Sequence, residues 1–365
     1  MDLDFTPAEL EFRATVRAWL AAHTPAALPS MDTADGFAAH RAWEAVLAAD
    51  RLSAVSWPRE YGGRDATLVE WLIFEEEYWA AGAPGRVTQN GIFLLAPTLM
   101  RFGTPEQRAR WLPRMARADD VWAQAWSEPE AGSDLAALTS RAERVPGGWR
   151  LSGHKTWSSR AAFATHGFGL FRTSGTRHKG LTYFLFPLAG ADVRPIAQLD
   201  GETGFAEIFL DGLRVPDDMV LGAPGDGWRI AMATTSSERG LALRSPGRFL
   251  ATADRLLGLA TDDPVLADRA ARCWIDAEAY RLHTFATARR LADGHEIGAA
   301  ASMGKIYWSE LDLRMHTLAM DILGPRAAAT AWHDGYLFAL AGPIYAGTNE
   351  IQRNIVAERV LGMPR

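Results

Sequence analysis

The periodicity of apolar residues changes twice along this chain of 365 residues, near Val121 and again near Gly227. Before Val121 the apolar residues recur at helical spacing, and Thr6-Pro7-Ala8-Glu9 has the form of a capping box with proline at the first helical position. Between the two changes, short apolar runs alternate with turn residues, as expected of closely spaced β-strands. Beyond Gly227 the segments are long, alanine-rich and helical in pattern. The order of elements is therefore α, then β, then α.

This order predicts an α+β fold with an N-terminal helical domain (1–120), a β-domain (121–226) and a C-terminal helical domain (227–365). More than one domain is expected because a chain of this length exceeds one ordinary core. The short strands favour a small barrel or sandwich in the middle domain. Long helical segments with short connections predict a four-helix bundle at the end of the chain. They lie near 228–258, 264–292, 298–323 and 349–361.

The composition excludes several classes of protein. A hydrophobic share of 48% with 22% charged residues is typical of a soluble globular protein. The net charge of −6 and the absence of a basic run argue against nucleic acid as a partner. No apolar run approaches membrane-spanning length and the acidic N-terminus lacks a signal-peptide pattern, so we expect a cytoplasmic protein with no membrane partner. The nine histidines have no metal-binding companions, and a metal site is not expected.

Two sequence blocks could hold a planar, phosphate-bearing ligand. Residues 126–134 read WSEPEAGSD, a loop of small hydroxyl and glycine residues whose backbone amides can approach an anion. Residues 153–159 read GHKTWSS and place an indole and two hydroxyls at the end of a β-run. A plain turn and a half-buried tryptophan would explain each block as well. Neither block is diagnostic by itself.

Together the two blocks resemble the signatures of the acyl-CoA dehydrogenases. Further similar segments follow in the family's order, and the resemblance covers the chain essentially end to end. They are WPREYGG at 57–63, FGTPEQ at 102–107, RVP at 214–216 and residues 344–353. The resemblance implies a helical domain, a central β-barrel and a C-terminal four-helix bundle, with FAD between barrel and bundle. It also implies α,β-dehydrogenation of an acyl-CoA thioester.

The resemblance also implies which residues contact the ligands. Residues matching Trp126, Ser127, Trp157 and Ser159 line the flavin in the family, and Ser133 matches a position that contacts phosphate or pantetheine. In the terminal motif, Thr348 and Glu350 match cofactor-binding positions. The substrate positions of the resemblance are Ser133, Arg239, Tyr345, Ala346 and Gly347.

The catalytic base is the sharpest question that the resemblance raises. Many members carry it as glutamate in a terminal Tyr-Glu-Gly-Thr motif, and this chain has Ala346 at that position. Members similar to isovaleryl-CoA and long-chain dehydrogenases instead place the base at the start of a bundle helix, directly before an arginine. Glu238, followed by Arg239, matches that arrangement and is the predicted base. Glu350 is a weaker alternative.

Three departures from the family pattern concern the nucleotide. Glu130 stands where the family usually has glycine, which would restrict the turn and add negative charge near a phosphate. The Arg-x-x-Phe-Gly arm that holds FAD across subunits is replaced by LGLATDDP at 257–264, and the usual Gly-Gly pair is Gly324-Pro325. We therefore expect either a homo-oligomer (dimer or tetramer) that binds FAD differently or a heterotetramer with a related subunit.

Three functions remain open from the sequence. The first is an FAD-dependent acyl-CoA dehydrogenase that passes electrons to an acceptor flavoprotein. The second is a non-catalytic or half-site subunit of a heteromeric dehydrogenase. An oxygen-using monooxygenase is less favoured, because the Glu238-Arg239 pair would then have no role. The sequence does not name the acyl group, and a carrier-protein thioester could replace CoA.

Overall fold

The computed structural model describes residues 4–239, 245–259 and 261–364, and for residues 236–239 it describes the backbone alone. Helices come first, strands occupy the middle and helices follow, as the periodicity predicts. The helices are α1 (Pro7–His23), α2 (Ala34–Ala49), α3 (Leu68–Ala80), α4 (Ala96–Phe102), α5 (Pro105–Ala116), α6 (Gly227–Arg239), α7 (Pro246–Leu257), α8 (Pro264–Ala292), α9 (Ala301–Leu323), α10 (Ala331–Leu340) and α11 (Asn349–Ile355). The strands are β1 (Trp122–Ala125), β2 (Arg141–Val145), β3 (Gly148–Ser159), β4 (His166–Arg172), β5 (Leu181–Pro187), β6 (Asp192–Ile196), β7 (Phe205–Val215) and β8 (Val220–Leu221).

The chain divides into two compact units. One consists of Met1–Thr24, Ala66–Ala83 and Glu238–Arg365, and it is helical in its described part. The other consists of Pro25–Asp65 and Pro84–Ser237 and contains the sheet.

The eight strands form one mixed sheet with the order β6-β7-β3-β2-β4-β5-β8, and β1 pairs with β4 beside this path. The pairs of β4 with β1 and with β2 are parallel, whereas the other pairs are antiparallel. The predicted barrel is corrected here, because the two end strands of the described sheet, β6 and β8, do not pair and the sheet stays open. β8 is two residues long, and Pro195 lies in β6, where it interferes least with sheet hydrogen bonding.

Two polar contacts attach helices to the rest of the sheet-containing unit. The Gln107 side chain of α5 donates to the carbonyls of Asp218 and Val220, both at 2.8 Å, and so ties α5 to the segment that enters β8. Thr98 in α4 and Thr234 in α6 share a buried hydroxyl hydrogen bond of 2.9 Å. Because buried hydroxyls are costly without partners, these contacts fix the helices as well as satisfy the polar groups.

In the helical unit, α7, α8 and α9 enclose one apolar core. It consists of Phe249, Ala253, Leu256, Ala270, Cys273, Ala277, Tyr280, Trp308, Leu311, Met315, Leu318 and Ala319. The predicted helix at 228–258 is described as two helices, and Pro246 begins the second at the first-turn position that proline tolerates. Gly247 permits close packing on α3, since a Cβ there would lie 2.7 Å from the Cα of Glu76.

Local sequence signals set the first helix as predicted. The Glu9 amide donates to the Thr6 hydroxyl (3.2 Å) while the Thr6 amide donates to the Glu9 carboxylate (2.8 Å), which is the reciprocal capping box. No helix in the described part of the chain is long and apolar enough to cross a membrane. The described residues also contain no group of three or more metal-ligating side chains placed to hold an ion.

Candidate functional site

The loop at 126–134 and the end of β3 lie side by side in the sheet-containing unit. The Thr156 amide of β3 donates to the Ser127 carbonyl at 2.9 Å. The Lys155 ammonium, fully buried, donates to the Glu128 carboxylate at 2.9 Å and to the Trp126 carbonyl at 3.4 Å. Tertiary structure thus joins the two blocks that the sequence separates by about twenty residues.

Glu128 is the centre of this junction. Its carboxylate accepts from the Thr139 amide (2.6 Å) and hydroxyl (2.8 Å) and from the Ser140 amide (2.9 Å). Although burial raises the pKa of the Glu128 carboxyl, the charge of Lys155 and the hydrogen bonds from Lys155, Ser140 and Thr139 lower it to about 2. Glu128 is therefore an ionised anchor for the loop rather than an acid or base near neutral pH.

Trp157 points outward at an irregular position in β3. The register of β3 against β7 shifts between Lys155 and Ser158, as in a β-bulge. Trp157 has φ +59°, a left-handed conformation that is unfavourable for a bulky residue, and the residue is 60% exposed. Its ring meets Phe205 edge-on at 6.0 Å. A large exposed aromatic on strained backbone is typical of a residue held in place for a ligand.

Two polar side-chain atoms, one next to Trp157 and one in the loop at 126–134, have no hydrogen-bond partner among the described residues. The Ser158 hydroxyl and the Trp126 indole nitrogen are buried and accept or donate no hydrogen bond among the described residues. Ser127 and Ser159 are half-buried. Buried polar atoms are seldom left unpaired in native structures. An unpaired hydroxyl next to an exposed indole, with a second unpaired donor in the loop that β3 contacts, fits a planar ligand with polar edges, as a flavin has.

Most of the remaining loop is open to solvent, apart from the buried Ala131. Ser133 is exposed, and Glu130 is exposed in the turn closed by two hydrogen bonds between the backbones of Glu128 and Ala131, at 3.0 and 3.1 Å. Glu130 has no positive φ, so the turn does not need the glycine that the family usually has there. The expected restriction of this turn is thus not accompanied by backbone strain.

The terminal motif forms a second group of candidate residues, in the helical unit. Ala346 has φ +58° and Gly347 has φ +79°. The Gln352 side-chain amide donates to both of their carbonyls, at 3.1 and 3.3 Å. Thr348 caps α11 by accepting from the Ile351 amide at 3.3 Å. A left-handed alanine is unusual, and it persists here because the surrounding contacts hold it.

A buried lysine anchors the same loop. Lys305 of α9 is fully buried and donates to the Gly342 carbonyl (2.9 Å) and to the Asn349 side-chain oxygen (2.7 Å). Ser309 donates to that oxygen as well, at 3.1 Å. The two ends of the segment 342–349 are thereby fixed to one helix. Tyr345 lies between them, half-buried against the core of the unit.

The structure describes the side chain of only one of the two candidate bases, Glu350. The Glu238 backbone lies in the last described turn of α6, eleven residues after that helix begins, while its side chain and that of Arg239 are outside the described residues. Glu350 is exposed in the first turn of α11, where hydrogen bonds from its own amide and from Thr348 lower the pKa of its carboxyl. A lowered pKa makes Glu350 a poorer proton acceptor.

The altered nucleotide-binding segments have structural roles of their own. In place of the usual arm, Asp263 caps α8 by accepting from the amides of Val265 (2.8 Å) and Leu266 (3.4 Å); Ala260 lies outside the described residues. The segment that begins with Gly324-Pro325 is a 3₁₀ turn, Gly324–Ala329.

Sequence reasoning missed the two buried lysines and Glu128. A usable signal was present, because the chain has three lysines, Lys155, Lys179 and Lys305, and uses arginine for almost all other positive charge. All three lie in the described part of the chain, where the first and third are fully buried and Lys179 is exposed. Buried lysines are rare unless paired, so each marks a specific contact.

Comparisons with known proteins agree with this architecture. Three family models match in order: the acyl-CoA dehydrogenase N-terminal domain at residues 6–119, the middle domain at 123–214 and the C-terminal domain at 225–361. The acyl-CoA dehydrogenase IpdE1 of Mycobacterium tuberculosis is 40% identical over 380 residues, covering 97% of this chain and 98% of the relative. IpdE1 of Mycolicibacterium smegmatis is 38% identical with the same coverage.

Solved structures with two different chains are also similar. The Tcur3481-Tcur3483 steroid ACAD superposes with a TM-score of 0.88 at 28% identity, and the match covers all of both chains. The ChsE4-ChsE5 complex from Mycobacterium tuberculosis superposes with a TM-score of 0.85 at 28% identity, again over all of both chains.

Proposed function

This chain belongs to the acyl-CoA dehydrogenase family, and from that premise we propose how its residues carry out α,β-dehydrogenation of an acyl-CoA thioester. It is an FAD-dependent oxidoreductase that acts on acyl-CoA. The assignments of individual residues, of the acyl group and of the partners are ours. The observation that carries the assignment of the flavin site is Trp157, exposed on a strained bulge next to the unpaired, buried hydroxyl of Ser158.

FAD, when bound, supplies the acceptor for the β hydrogen, which leaves the acyl chain as a hydride. We assign Trp157 to cover the ring and the hydroxyls of Ser127 and Ser159 to bond its polar edge, with Trp126 beside them. The Glu128–Lys155 pair keeps this surface rigid. The remaining assigned contacts are Ser133, Thr348 and Glu350.

Glu238 is the proposed base. Its carboxylate takes the proton from the α carbon, so that the electrons of that C–H bond form the new double bond as the β hydrogen departs. Arg239 and the segment Tyr345–Gly347 are the proposed substrate contacts, together with Ser133. Support comes from Ala346, whose methyl side chain cannot accept a proton at the position where many family members have glutamate.

Replacement of the base tests this assignment. Glu238→Gln keeps size and polarity but cannot accept the α proton, and we expect turnover to fall by roughly 10²–10⁴-fold. FAD absorbance should be unchanged. Glu350→Gln tests the alternative base: because Glu350 is an assigned FAD contact, this variant should bind FAD more weakly, but its flavin-loaded form should keep near-normal turnover. Normal activity in the Glu238 variant, or its loss in the flavin-loaded Glu350 variant alone, would reject Glu238 as the base.

We further propose a large, ring-bearing acyl group. Ala346 removes bulk from the substrate loop, and one similar two-chain structure is described as a steroid ACAD. A CoA thioester with a steroid side chain should then bleach the flavin faster than octanoyl-CoA or isovaleryl-CoA in a stopped-flow assay. A preference for octanoyl-CoA would contradict this choice. The acceptor of the electrons is proposed to be a separate flavoprotein.

A second candidate is a half-site subunit of a heteromeric dehydrogenase. It is favoured by the altered arm at 257–264 and by the two-chain composition of the similar structures. The flavin absorbance of the chain purified alone separates the candidates. Full occupancy supports a homo-oligomer, whereas a folded protein with little flavin supports a heterotetramer with a related subunit.

The finer architecture is also a proposal. We assign boundaries near 121 and 227 to three domains and a four-helix bundle to the last of them, which the ranges of the matched family models support. Limited proteolysis that cuts first near these boundaries would agree. First cuts inside α8 or α9 would contradict the bundle.

A further inference from the structure

A buried ion pair joins two helices of the C-terminal part. The Arg248 guanidinium of α7 donates to the Asp312 carboxylate of α9 at 2.6 Å. The Asp312 side chain is 2% exposed, and Nδ1 of His316, one turn further along α9, lies 3.3 Å from its second oxygen. A buried pair of this kind rarely stabilises a fold more than apolar residues of the same volume would. Stabilisation of the fold therefore does not by itself explain why this ion pair is present, and a second role is to be expected.

Arg248 also belongs to a closed circle of aromatic rings. Its guanidinium lies 5.1 Å from the Phe249 ring and 5.7 Å from the Phe338 ring. Phe338 contacts Tyr345 at 6.3 Å, Tyr345 stacks on Trp308 at 6.0 Å, and Trp308 stacks on Phe249 at 5.9 Å. Each ring is thus held by two neighbours, and Arg248 closes the circle.

Tyr345 connects this circle to the strained loop. The next residue, Ala346, has the left-handed φ of +58°, and Gln352 holds its carbonyl from one side. Lys305 holds the backbone at Gly342. These contacts fix the main chain of the loop, whereas the Tyr345 side chain is fixed by the aromatic circle.

We propose that Arg248, fixed by Asp312, is a positioning residue for the acyl-substrate loop, because through the aromatic circle it holds Tyr345 and hence Ala346 and Gly347 in one orientation. This inference rests on the proposed function, in which these three residues contact the substrate. The ion pair then sets the shape that the loop offers to the acyl group. A purely structural role, in which the ion pair only joins α7 to α9, would not require the circle of aromatic rings that leads from Arg248 to Tyr345.

Hydrogen exchange measured by mass spectrometry tests the positioning without requiring turnover. The double variant Arg248→Met/Asp312→Leu removes both charges and leaves neither partner buried alone. We expect the amides of Tyr345 and Asn349, which donate to Ala341 and Pro343, to exchange at least about tenfold faster. Arg248→Lys keeps the charge and should show an intermediate rate.

The control is a second ion pair on α9. Arg269 and Asp321 join α8 to α9 at 3.1 Å, but both side chains are about half exposed. Arg269→Met/Asp321→Leu should leave exchange in 341–352 unchanged. Equal exchange in the parent protein and in the Arg248/Asp312 variant would overturn the positioning role, and so would equal acceleration by both double variants.

A kinetic measurement adds a readout that a purely structural pair would not move. With octanoyl-CoA and isovaleryl-CoA as probes of the holoenzyme, we expect the ratio of the two KM values to change at least about threefold in the Arg248 variants while kcat changes less. An unchanged ratio would argue against positioning. Failure of every thioester to reduce the flavin of the parent protein would instead contradict the proposed function, and the exchange result would still decide the role of Arg248.

Discussion

The ammonium of Lys155 lies 2.9 Å from the carboxylate of Glu128, and both side chains are almost completely withdrawn from solvent. Lys155 belongs to β3 and Glu128 to the loop after β1, so the pair joins the two segments that we assign to the flavin. The Lys155 ammonium also donates to the Leu170 carbonyl at 2.8 Å. The buried ion pair and its hydrogen bonds therefore help to hold the loop against the sheet.

Removal of one partner of this buried ion pair should strongly destabilise the fold. Glu128→Gln leaves the Lys155 ammonium without its counter-charge, and we expect the free energy of unfolding to fall by about 3–5 kcal/mol. Urea unfolding followed by tryptophan fluorescence measures the change. Glu143→Gln is the control, because its partner Arg150 and Glu143 itself are about half exposed, and it should lower the free energy of unfolding far less. Equal decreases in the free energy of unfolding would show that the buried pair stabilises the fold no more than the exposed pair does.

The same carboxylate predicts how stability depends on pH. Its pKa in the folded chain is about 2, against the ordinary value of 4.5. Since the folded value is the lower one, the unfolded chain takes up the proton first as the pH falls. The stabilisation is complete above about pH 4.5 and is lost between there and about pH 2, and it is on the order of 3 kcal/mol. As the pH is lowered, the unfolding temperature should therefore fall more steeply in the parent protein than in Glu128→Gln. Parallel plots of unfolding temperature against pH would contradict this prediction.

Substitution of Trp157 should weaken FAD binding without lowering the stability of the fold. In Trp157→Gly, the new residue accommodates the left-handed backbone, so the unfolding temperature should stay the same or rise. Loss of the stacking surface, worth about 0.5–1.5 kcal/mol, should raise the dissociation constant of FAD by about two- to tenfold. Flavin fluorescence titration of the apoprotein measures it. Trp157→Phe keeps an aromatic face and should bind FAD better than the glycine variant; the reverse order would remove Trp157 from the proposed site.

The buried lysine of α9 should matter far more than an exposed one. Lys305→Met leaves the Gly342 carbonyl without its donor and removes one donor from Asn349, and we expect a loss of about 2–5 kcal/mol in unfolding free energy. Lys179→Met changes the exposed lysine in the same way and should stay within about 0.5 kcal/mol. Guanidinium unfolding of the two variants provides the comparison. Similar losses would show that Lys305 does not anchor the loop at 342–349.

The order of helices and strands could be predicted from the sequence, because capping, proline positions and apolar periodicity act within a few residues along the chain. The capping box at Thr6 and the helix beginning at Pro264 illustrate this. The family resemblance also followed from short contiguous motifs. These signals could name Trp157 and Ala346 as candidate site residues, and the assignment of such roles stays a prediction.

Tertiary structure alone decided which of these residues meet and how they are held. The open edges of the sheet and the bulge that turns Trp157 outward arise from pairing between segments far apart in the chain. The same is true of the contacts that Lys155 and Lys305 make with the site loops. A buried charge gains its stability from partners that surround it in space, and periodicity along the chain carries no information about those partners.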